Sequence, residues 1–254
     1  MTELRGKTIA ITGGTKGVGK AAALEFARLG ADVTIGGRDT VAAKEIMQIA
    51  QAFPGKVTFQ KVDLHDADEC RSFIDASSES SGRLDGLFCY AGVTPISPLD
   101  ECDVATFDEV MTVNFKACFF CCQQAIAHMI DNGGGSIVLT GSAHAWGGQR
   151  DRAAYACSKG ALLTLMEHIA HNYATEGIRC NCLVLGWTPT EGELTLRKSQ
   201  GEGEGELRKR AASVLPMGRM LEPCDYMGAL TYLMSDNSSM MTGSMLRITA
   251  GEYI

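Results

Sequence analysis

Tyr155 and Lys159 are the two residues whose types and spacing most directly indicate chemistry. Residues four apart on a helix share one face, about one turn apart. A phenol exchanges protons poorly near neutral pH because its reference pKa is about 10, and a nearby ammonium stabilises its phenolate form. Ser142, just after a strand-like run, offers a hydroxyl to the same reacting oxygen. The three side chains therefore predict general acid–base chemistry on an oxygen atom.

The rest of the chain must supply the elements that bring these side chains together. Strand-like and helix-like runs alternate along it, which predicts an α/β fold with a doubly wound parallel sheet of about seven strands in three α/β/α layers. With no internal repeat and no linker, residues 1–254 are predicted to form one domain. The predicted strands cover residues 7–12, 32–36, 57–62, 84–89, 136–140, 178–185 and 246–249. The predicted helices cover residues 18–29, 41–52, 67–80, 104–129 (interrupted near Asn114) and 151–176.

Residues 190–215 break this alternation with a Gly-Glu repeat followed by Leu-Arg-Lys-Arg. Their composition is typical of a solvated, mobile surface insert. Their position is more informative, because they follow the sixth strand at the carboxyl edge of the sheet, where ligands bind in such folds. The position predicts a substrate lid.

A glycine-rich segment joins the first strand to the first helix and predicts a phosphate site. Its glycines permit a tight turn and a close backbone approach to a pyrophosphate, which then meets the positive N-terminus of the helix. The spacing, T-G-x3-G-x-G, differs from the common G-x-G-x-x-G. The predicted cofactor contacts in this loop are Gly13, Thr15, Lys16, Gly17, Val18 and Gly19.

The end of the second strand indicates which dinucleotide binds. A carboxylate there would hold the ribose 2′-hydroxyl of NAD, whereas a cation would hold the 2′-phosphate of NADP. Gly37 occupies the acidic position and Arg38 follows it, while Lys16 adds a second positive charge. The predicted cofactor is therefore NADP (NADPH). Asp39 could accept a ribose hydroxyl, which leaves NAD as the alternative.

Taken together, these features resemble the short-chain dehydrogenase/reductase family over essentially the whole chain. The resemblance implies a Rossmann-type fold in which Ser142 and Tyr155 hold the substrate oxygen. It also implies that Lys159 tunes Tyr155 and binds the nicotinamide ribose, and that Asn114 holds a proton-relay water. The other cofactor contacts that it implies are Asp63 (to the adenine), Thr190 (to the nicotinamide carboxamide), Leu64, Ala91, Gly92, Tyr155, Gly186 and Thr188.

The chain departs from the family pattern at two segments that adjoin the predicted cofactor. Where relatives usually read Asn-Asn-Ala-Gly, this chain reads Cys89-Tyr90-Ala91-Gly92. Tyr90 thus replaces a side chain that braces the edge of the sheet. The usual Pro-Gly becomes Leu185-Gly186, which removes a rigid turn before Trp187. Neither departure removes a member of the catalytic set.

The resemblance implies an NADP(H)-dependent oxidoreductase that interconverts a carbonyl and a secondary alcohol. Polar and aromatic side chains near the expected pocket favour a small-molecule substrate such as a sugar, polyol or hydroxy acid. A 3-oxoacyl-type ketoreductase and an NADP-binding regulatory protein without turnover are the alternatives. Relatives are often homotetramers, and a homotetramer or homodimer is predicted. The predicted substrate contacts are His144, Trp146, Gln149 and Trp187.

Composition and charge exclude several other classes of function. The formal net charge of −7 argues against a nucleic-acid partner. No apolar run approaches the ~20 residues of a membrane span, and the N-terminus has no apolar signal core, so a cytoplasmic location is predicted. Ten cysteines lie mainly in apolar settings, which predicts buried free thiols. No metal site is predicted, although Cys118 and Cys121 have metal-like spacing.

Overall fold

The computed structural model describes residues 4–252. Within this range, seven strands form a single sheet whose neighbours all pair in parallel. Residues of the central strands are buried on both faces, as expected for a parallel sheet between two helix layers. The strands are β1 (Thr8–Thr12), β2 (Asp32–Gly37), β3 (Val57–Lys61), β4 (Gly86–Cys89), β5 (Gly135–Ser142), β6 (Ile178–Leu185) and β7 (Met245–Ile248).

The strand order is β3-β2-β1-β4-β5-β6-β7, which reverses direction between β1 and β4. At this switch point the carboxyl ends of the two strands lie side by side, with Thr12 paired to Cys89. Chains leaving the two strands go to opposite faces of the sheet, so a crevice opens there and ligands bind in it. The predicted fold class is thus confirmed, and the sheet edge that should carry the site is defined.

Helices cover both faces of the sheet and divide the core in two. The first, second and ninth helices pack on one face, and the third, fifth and sixth pack on the other. The described helices are α1 (Gly17–Arg28), α2 (Thr40–Ala50), α3 (Ala67–Ser78), α4 (Val104–Met111), α5 (Ala117–Asp131), α6 (Ala153–Asn172), α7 (Glu191–Ser199), α8 (Glu204–Val214) and α9 (Met227–Met234).

Local signals account for most of these boundaries. The side chain of Asp39 accepts a hydrogen bond from Ala42 N and begins α2, and Asp66 and Asp103 begin α3 and α4 in the same way. At the far end of the α6 segment, Gly177 adopts a left-handed conformation (φ 74°) that stops the helical run before β6.

Two regions differ from the sequence prediction. Residues 190–215 contain helices α7 and α8 where the composition indicated a mobile insert. Both helices have acidic residues in their first turn, and α7 has basic residues in its last turn, which is the charge distribution that the helix dipole favours. The sequence analysis did not use this signal because the Gly-Glu repeat is typical of a flexible loop. Helix α9 was not predicted, because its sequence Met-Gly-Ala-Leu-Thr-Tyr-Leu-Met is apolar on nearly all sides and shows no clear period.

Candidate active site

The four predicted catalytic residues lie on three elements that meet at the carboxyl edge of the sheet. Ser142 is the last residue of β5 and is buried. Tyr155 and Lys159 lie in the first two turns of α6, and Asn114 lies in a π-helical turn, Thr112–Lys116, that joins α4 to α5. The predicted interruption near Asn114 is therefore this turn, a feature often found at functional sites.

Lys159 holds its ammonium group deep in the site, with only 2% of the residue exposed. Its Nζ donates a hydrogen bond to the carbonyl oxygen of Thr140 (2.8 Å) and lies 5.5 Å from the centroid of the Tyr155 ring. Among the ion pairs of the described residues, none involves Lys159. A buried positive charge without a carboxylate partner favours any negative charge that develops on the half-buried Tyr155.

Asn114 braces the loop that follows β4. Its Nδ2 donates to Val93 O (2.9 Å) and to Ser158 Oγ (3.1 Å), while its Oδ1 accepts from Val93 N (2.7 Å). A β-carbon at Gly92 would lie 3.2 Å from Asn114 Oδ1 and 3.8 Å from Lys159 Nζ, so the glycine lets these groups approach. The amide protons of Asn114 are thus used within the protein, and a relay water would depend on its remaining oxygen lone pairs.

Ser158 and Thr140 were missed by the sequence analysis. Ser158 Oγ links Asn114 to the carbonyl of Tyr155 (2.7 Å), and Thr140 supplies the oxygen that holds Lys159. Ser158 lies between Tyr155 and Lys159 in the sequence, so its position on the same helix could have been predicted. Thr140 acts through its backbone, which leaves no signal in its residue type.

The glycine loop forms a cradle without room for side chains. Gly13 has a positive φ (71°), and a β-carbon there would lie 2.9 Å from Ala91 Cα. A β-carbon on Gly19 would lie 2.5 Å from Gly13 O, closer than real β-carbons approach a backbone oxygen. Thr15 lies against the end of β2, with its Oγ1 3.3 Å from the β-carbon position of Gly37. These predicted loop residues are therefore brought together with Ala91.

Tyr90 restores the brace that the sequence departure placed in doubt. Its hydroxyl accepts a hydrogen bond from Val18 N (3.3 Å), an otherwise free amide in the first turn of α1. The hydroxyl lies 2.6 Å from the β-carbon position of Gly17, which has a positive φ of 52°. Burial raises the pKa of Tyr90 to about 12, so the phenol stays protonated and keeps its own proton to donate.

The two cations predicted to select the cofactor, Lys16 and Arg38, differ in whether a carboxylate neutralises them. Lys16 Nζ lies 3.2 Å from Asp39 Oδ2. Lys16 indicated NADP and Asp39 indicated NAD, and in the structure their charges neutralise one another. Arg38 is exposed and, among the ion pairs of the described chain, forms none. Arg38 thus offers an uncompensated charge at the end of β2. The pKa of the nearby Asp63 carboxyl is lowered by its hydrogen bonds from His65 and also by the charge of Arg38.

Asp63, the predicted adenine contact, is held by a histidine that joins two loops. His65 Nδ1 lies 2.7 Å from Asp63 Oδ1, and His65 Nε2 lies 2.6 Å from Glu109 Oε2 on α4. Hydrogen bonds to Asp63 and then to Glu109 raise the pKa of His65 above its usual value. Leu64 lies beside this bridge and lines a cavity together with Ala91 and Asn114.

The His65 bridge predicts a pH-dependent contribution to stability. Because the pKa of His65 is raised in the folded state, the stabilisation is complete below its reference pKa of about 6.5 and is lost as pH rises through the folded value. We expect His65→Ala to lower the free energy of unfolding by about 0.5 kcal/mol in acid, allowing for solvent screening of these exposed groups, and by less in alkali. Urea unfolding at about pH 5.5 and pH 8.5 measures the difference. His171→Ala, at an exposed histidine, is the control; equal losses at both pH values would contradict the prediction.

The segment after β6 carries the residues predicted to hold the nicotinamide. A β-carbon at Gly186 would lie 2.6 Å from Thr249 Cα, so the chain passes close to the end of β7. Thr188 is buried and its Oγ1 lies 2.6 Å from the hydroxyl of Tyr226. Thr190 begins α7 as its cap and lies 3.2 Å from the β-carbon position of Gly17. Thr190 is thus next to the glycine loop, and its contact with the nicotinamide carboxamide stays a prediction.

His144 is a predicted substrate contact that lies beside Tyr155. Its ring centroid is 5.7 Å from that of Tyr155, and its backbone N donates to Ser142 Oγ (3.2 Å). Burial, and then the charge of Arg152, lower the pKa of His144, which keeps the ring neutral near pH 7. The backbone N of Gln149 donates to His144 Nδ1 (3.2 Å), which fixes the ring and leaves its other nitrogen available.

The two predicted tryptophans have other partners in the structure. Trp146 is exposed and lies under the guanidinium of Arg247 (4.2 Å from its carbon to the ring centroid). Trp187 donates from Nε1 to Glu193 Oε1 (2.7 Å) and packs against a small apolar cluster formed largely by α8. Trp187 therefore fastens α7 and α8 to the sheet edge, and a direct substrate contact by either ring stays a prediction.

All ten cysteines are described and free. The spacing Cys118-x2-Cys121 does not bring its two sulfurs into one cluster; instead Cys118 and Cys122 approach Cys89, with the three sulfurs within 4.8 Å of one another. Three thiolates in an apolar core would repel one another, and the expectation that no metal binds stays a prediction.

Comparisons with known proteins agree with this architecture. A family model described as enoyl-(acyl carrier protein) reductase matches residues 13–252. An uncharacterized oxidoreductase from Thermotoga maritima is 34% identical over 247 residues, or 97% of each chain. L-rhamnose 1-dehydrogenase (NAD(P)(+)) from Azotobacter vinelandii is 31% identical over 98% of this chain and 97% of the other. A short-chain type dehydrogenase/reductase from Mycobacterium marinum has a similar structure, with a TM-score of 0.87 and 27% identity over 98% of this chain and 96% of that one.

The chain belongs to the short-chain dehydrogenase/reductase family, and the family resemblance seen in its sequence is confirmed. Its fold and its relatives define an oxidoreductase of this type, a family that uses NAD(P) cofactors and small-molecule substrates. In the part of the chain that the structure describes, the helices are all too short or too polar to cross a lipid bilayer.

Proposed function

We propose that this chain is an NADP(H)-dependent oxidoreductase that interconverts a carbonyl and a secondary alcohol on a polar small molecule. The observation that carries the proposal is the buried ammonium of Lys159, 5.5 Å from the Tyr155 ring and without a carboxylate partner. This charge lies at the same sheet edge as Ser142 and the glycine loop. A cytoplasmic location and a single domain are part of the same proposal.

The residues of the cradle fit a dinucleotide. The β-carbon positions of Gly13 and Gly19 are already filled by neighbouring backbone atoms, so a phosphate would meet main-chain amides of the loop and the N-terminus of α1. Tyr90 and Val18 would adjoin it there. Asp63 and Arg38 would hold the adenosine end, while Lys159 and Thr190 would hold the nicotinamide ribose and carboxamide.

In reduction, Ser142 and Tyr155 hold the carbonyl oxygen of the substrate through their hydroxyls. The reduced nicotinamide, when bound, supplies the hydride that the carbonyl carbon receives. Tyr155 donates its proton to the developing alkoxide, and the ammonium of Lys159 stabilises the phenolate left behind. The neutral ring of His144, fixed by Gln149, orients the substrate beside Tyr155. In oxidation the same groups act in reverse, with the Tyr155 phenolate as the base.

Two observations bear on the class of substrate. Arg152 is 4% exposed, and after burial its charge is the next cause of the lowered pKa of His144. A buried guanidinium beside His144 favours an anionic group on the substrate, such as the carboxylate of a hydroxy acid. Arg152 also bonds Asp151 Oδ2 (2.9 Å), which would compete with such a substrate. The likeness to L-rhamnose 1-dehydrogenase favours a sugar. Both belong to the polar class, and helices α7 and α8 would close over either as a lid.

A screen of sugars, polyols, ketones, hydroxy acids and 3-oxoacyl thioesters with NADP(H) and NAD(H), followed by absorbance of the reduced nicotinamide, tests the proposal. We expect turnover of at least one polar substrate, with NADPH preferred. NADPH binding without turnover across the panel would identify a regulatory protein instead. Turnover confined to 3-oxoacyl thioesters would identify the ketoreductase alternative.

The cofactor preference predicts a specific effect at Arg38. Arg38→Ser should lower kcat/KM with NADPH by somewhat more than tenfold, because a charge-assisted hydrogen bond is worth about 1.5 kcal/mol at its weaker end. The kcat/KM with NADH should stay unchanged. Lys16→Ser should have a smaller effect, since Lys16 must first leave Asp39. Lys44→Ser, on the exposed face of α2, is the control; equal losses with both cofactors would contradict the assignment.

A homotetramer or homodimer is proposed from an apolar face on α4 and α5. Phe107 and Phe119 are 44% and 40% exposed, and Val104 on the same segment is 76% exposed. Such a face is costly in water and is typical of an interface between copies. We expect sedimentation velocity to show a dimer or tetramer and Phe119→Asp to produce a smaller species. Val214→Asp, at an exposed residue of α8, should leave the mass unchanged; a monomeric wild-type chain would refute the proposal.

A further inference from the structure

Three buried cysteine side chains meet beneath the predicted cofactor groove. Cys89 ends β4, and Cys118 and Cys122 lie one turn apart on α5. Their sulfur atoms all lie within 4.8 Å of one another, and the three residues are at most 6% exposed. We propose that this cluster is an oxidation site, in which a peroxide converts Cys118 and Cys89 into a disulfide when the cofactor groove is empty.

Of the three cysteines, Cys89 and Cys118 line the cavity that adjoins the cluster, and Cys118 is the one whose surroundings favour a thiolate. The thiols of Cys122 and then Cys89 donate hydrogen bonds to it, and the Lys159 ammonium adds attraction; together they lower the pKa of Cys118 despite its burial. The same contacts raise the pKa of Cys89 and Cys122, which stay thiols. Because the thiolate is the form that reacts, oxidation begins at Cys118.

Geometry selects Cys89 as the partner of Cys118. Residues four apart on a helix have β-carbons about 5–6 Å apart, whereas a disulfide needs about 3.5–4.5 Å. Cys122 therefore cannot bridge to Cys118 without unwinding α5. Cys89 lies on a different element, the end of β4, so helix geometry does not fix its β-carbon distance to Cys118, and its sulfur lies within 4.8 Å of that of Cys118. A disulfide requires the two sulfurs to close to about 2.05 Å.

A route to the cluster runs through the site itself. Cys89 and Cys118 line one cavity together with Thr12, Leu64, Ala91 and Asn114. Leu64 and Ala91 are predicted cofactor contacts, so a bound dinucleotide would cover this opening. We expect a peroxide to enter from the empty groove, so the rate of oxidation should depend on how much of the protein is free of cofactor.

The reaction balances in two steps. The Cys118 thiolate attacks hydrogen peroxide, the O–O bond breaks, and a sulfenic acid and hydroxide form. The Cys89 thiol then attacks that sulfur; an S–S bond forms and the S–O bond breaks. The Cys89 proton and the leaving hydroxyl become water, and the peroxide has taken up two electrons from the two thiols. The product is neutral, which suits its apolar surroundings.

The disulfide would act on the cofactor loop through Tyr90. Cys89 adjoins Tyr90, whose hydroxyl holds the amide of Val18 at the start of α1. Movement of the β4 end toward α5 would pull this contact away from the glycine loop. Oxidised protein should therefore bind NADPH more weakly than reduced protein.

The test treats the folded full chain with hydrogen peroxide, alkylates it under denaturing conditions and maps its peptides by mass spectrometry. We expect a linked Cys89–Cys118 peptide in which neither of these two cysteines is alkylated. With NADPH at about ten times its Kd, formation of the Cys89–Cys118 disulfide should slow about tenfold, since only cofactor-free protein reacts. Cys122→Ala should slow disulfide formation in the cofactor-free protein by removing a donor to Cys118, while Cys157→Ser, at an exposed thiol, should change nothing.

Several results would overturn the proposal. One is the absence of the linked peptide at a peroxide dose that oxidises the exposed Cys157 or Cys224. Another is an unchanged rate with NADPH bound. Cys118→Ser and Cys89→Ala should each abolish the linked peptide, and circular dichroism of both variants confirms that at least one is folded. Peptide mapping needs no enzymatic turnover, so failure of the proposed catalytic function would leave this test intact.

Discussion

Replacement of Tyr155 by phenylalanine is expected to lower kcat by about 10²- to 10⁴-fold, the range typical of losing a general acid or base. The ring should keep its packing against His144, whose centroid is 5.7 Å away, because only the hydroxyl is removed. NADPH affinity should stay nearly unchanged, because the ribose contact belongs to Lys159. Single-turnover rates and fluorescence titration of NADPH measure the two quantities separately.

Tyr173→Phe is the matched control, since Tyr173 lies just beyond the other end of α6. It should retain wild-type kcat. If Tyr155→Phe retained kcat within tenfold of wild type, Tyr155 would not be the proton donor. If it lost NADPH binding instead, the residue would serve the cofactor and not the substrate.

Gly19→Ala is expected to have the largest effect on cofactor binding. Its β-carbon would lie 2.5 Å from Gly13 O and 2.7 Å from Tyr90 Cδ1, so backbone and a packed ring must both move. Overpacking of this kind costs about 1–3 kcal/mol of stability. The same displacement opens the glycine loop, and we expect NADPH affinity to fall by about 10- to 100-fold, since about 1.4 kcal/mol corresponds to a factor of ten.

Gly205→Ala provides the comparison, because Gly205 is also in the first turn of a helix and a β-carbon there meets no atom within 4 Å. Stability should stay the same or rise by up to about 1 kcal/mol, since alanine favours a helix over glycine. Thermal unfolding and NADPH titration of both variants decide the outcome. A Gly19→Ala protein with wild-type affinity would show that the loop can relax and is not a fixed phosphate cradle.

Much of this fold could be predicted because its signals are local. β1 and β6 were readable as short buried runs between turns, and the glycine loop by its spacing. The Tyr155–Lys159 pair needed only the pitch of one helix. Three helices could not be predicted because their hydrophobic period or their composition is misleading. Helix α9 is apolar on nearly all sides, and the Gly-Glu repeat before α8 is typical of a loop and not of the helices α7 and α8.

Amino-acid order alone determined the alternation of strands and helices, the family and the identity of the groups that can move a proton. The tertiary structure decided which partners those groups have, because the partners are distant in sequence. Tyr90 reaches Val18 across 72 positions and Asn114 reaches Ser158 across 44. Only folding places Lys159 in the core without a carboxylate, and only folding gathers Cys89 with the thiols of α5. Such contacts depend on how the sheet and the helices pack, and a local sequence pattern does not predict that packing.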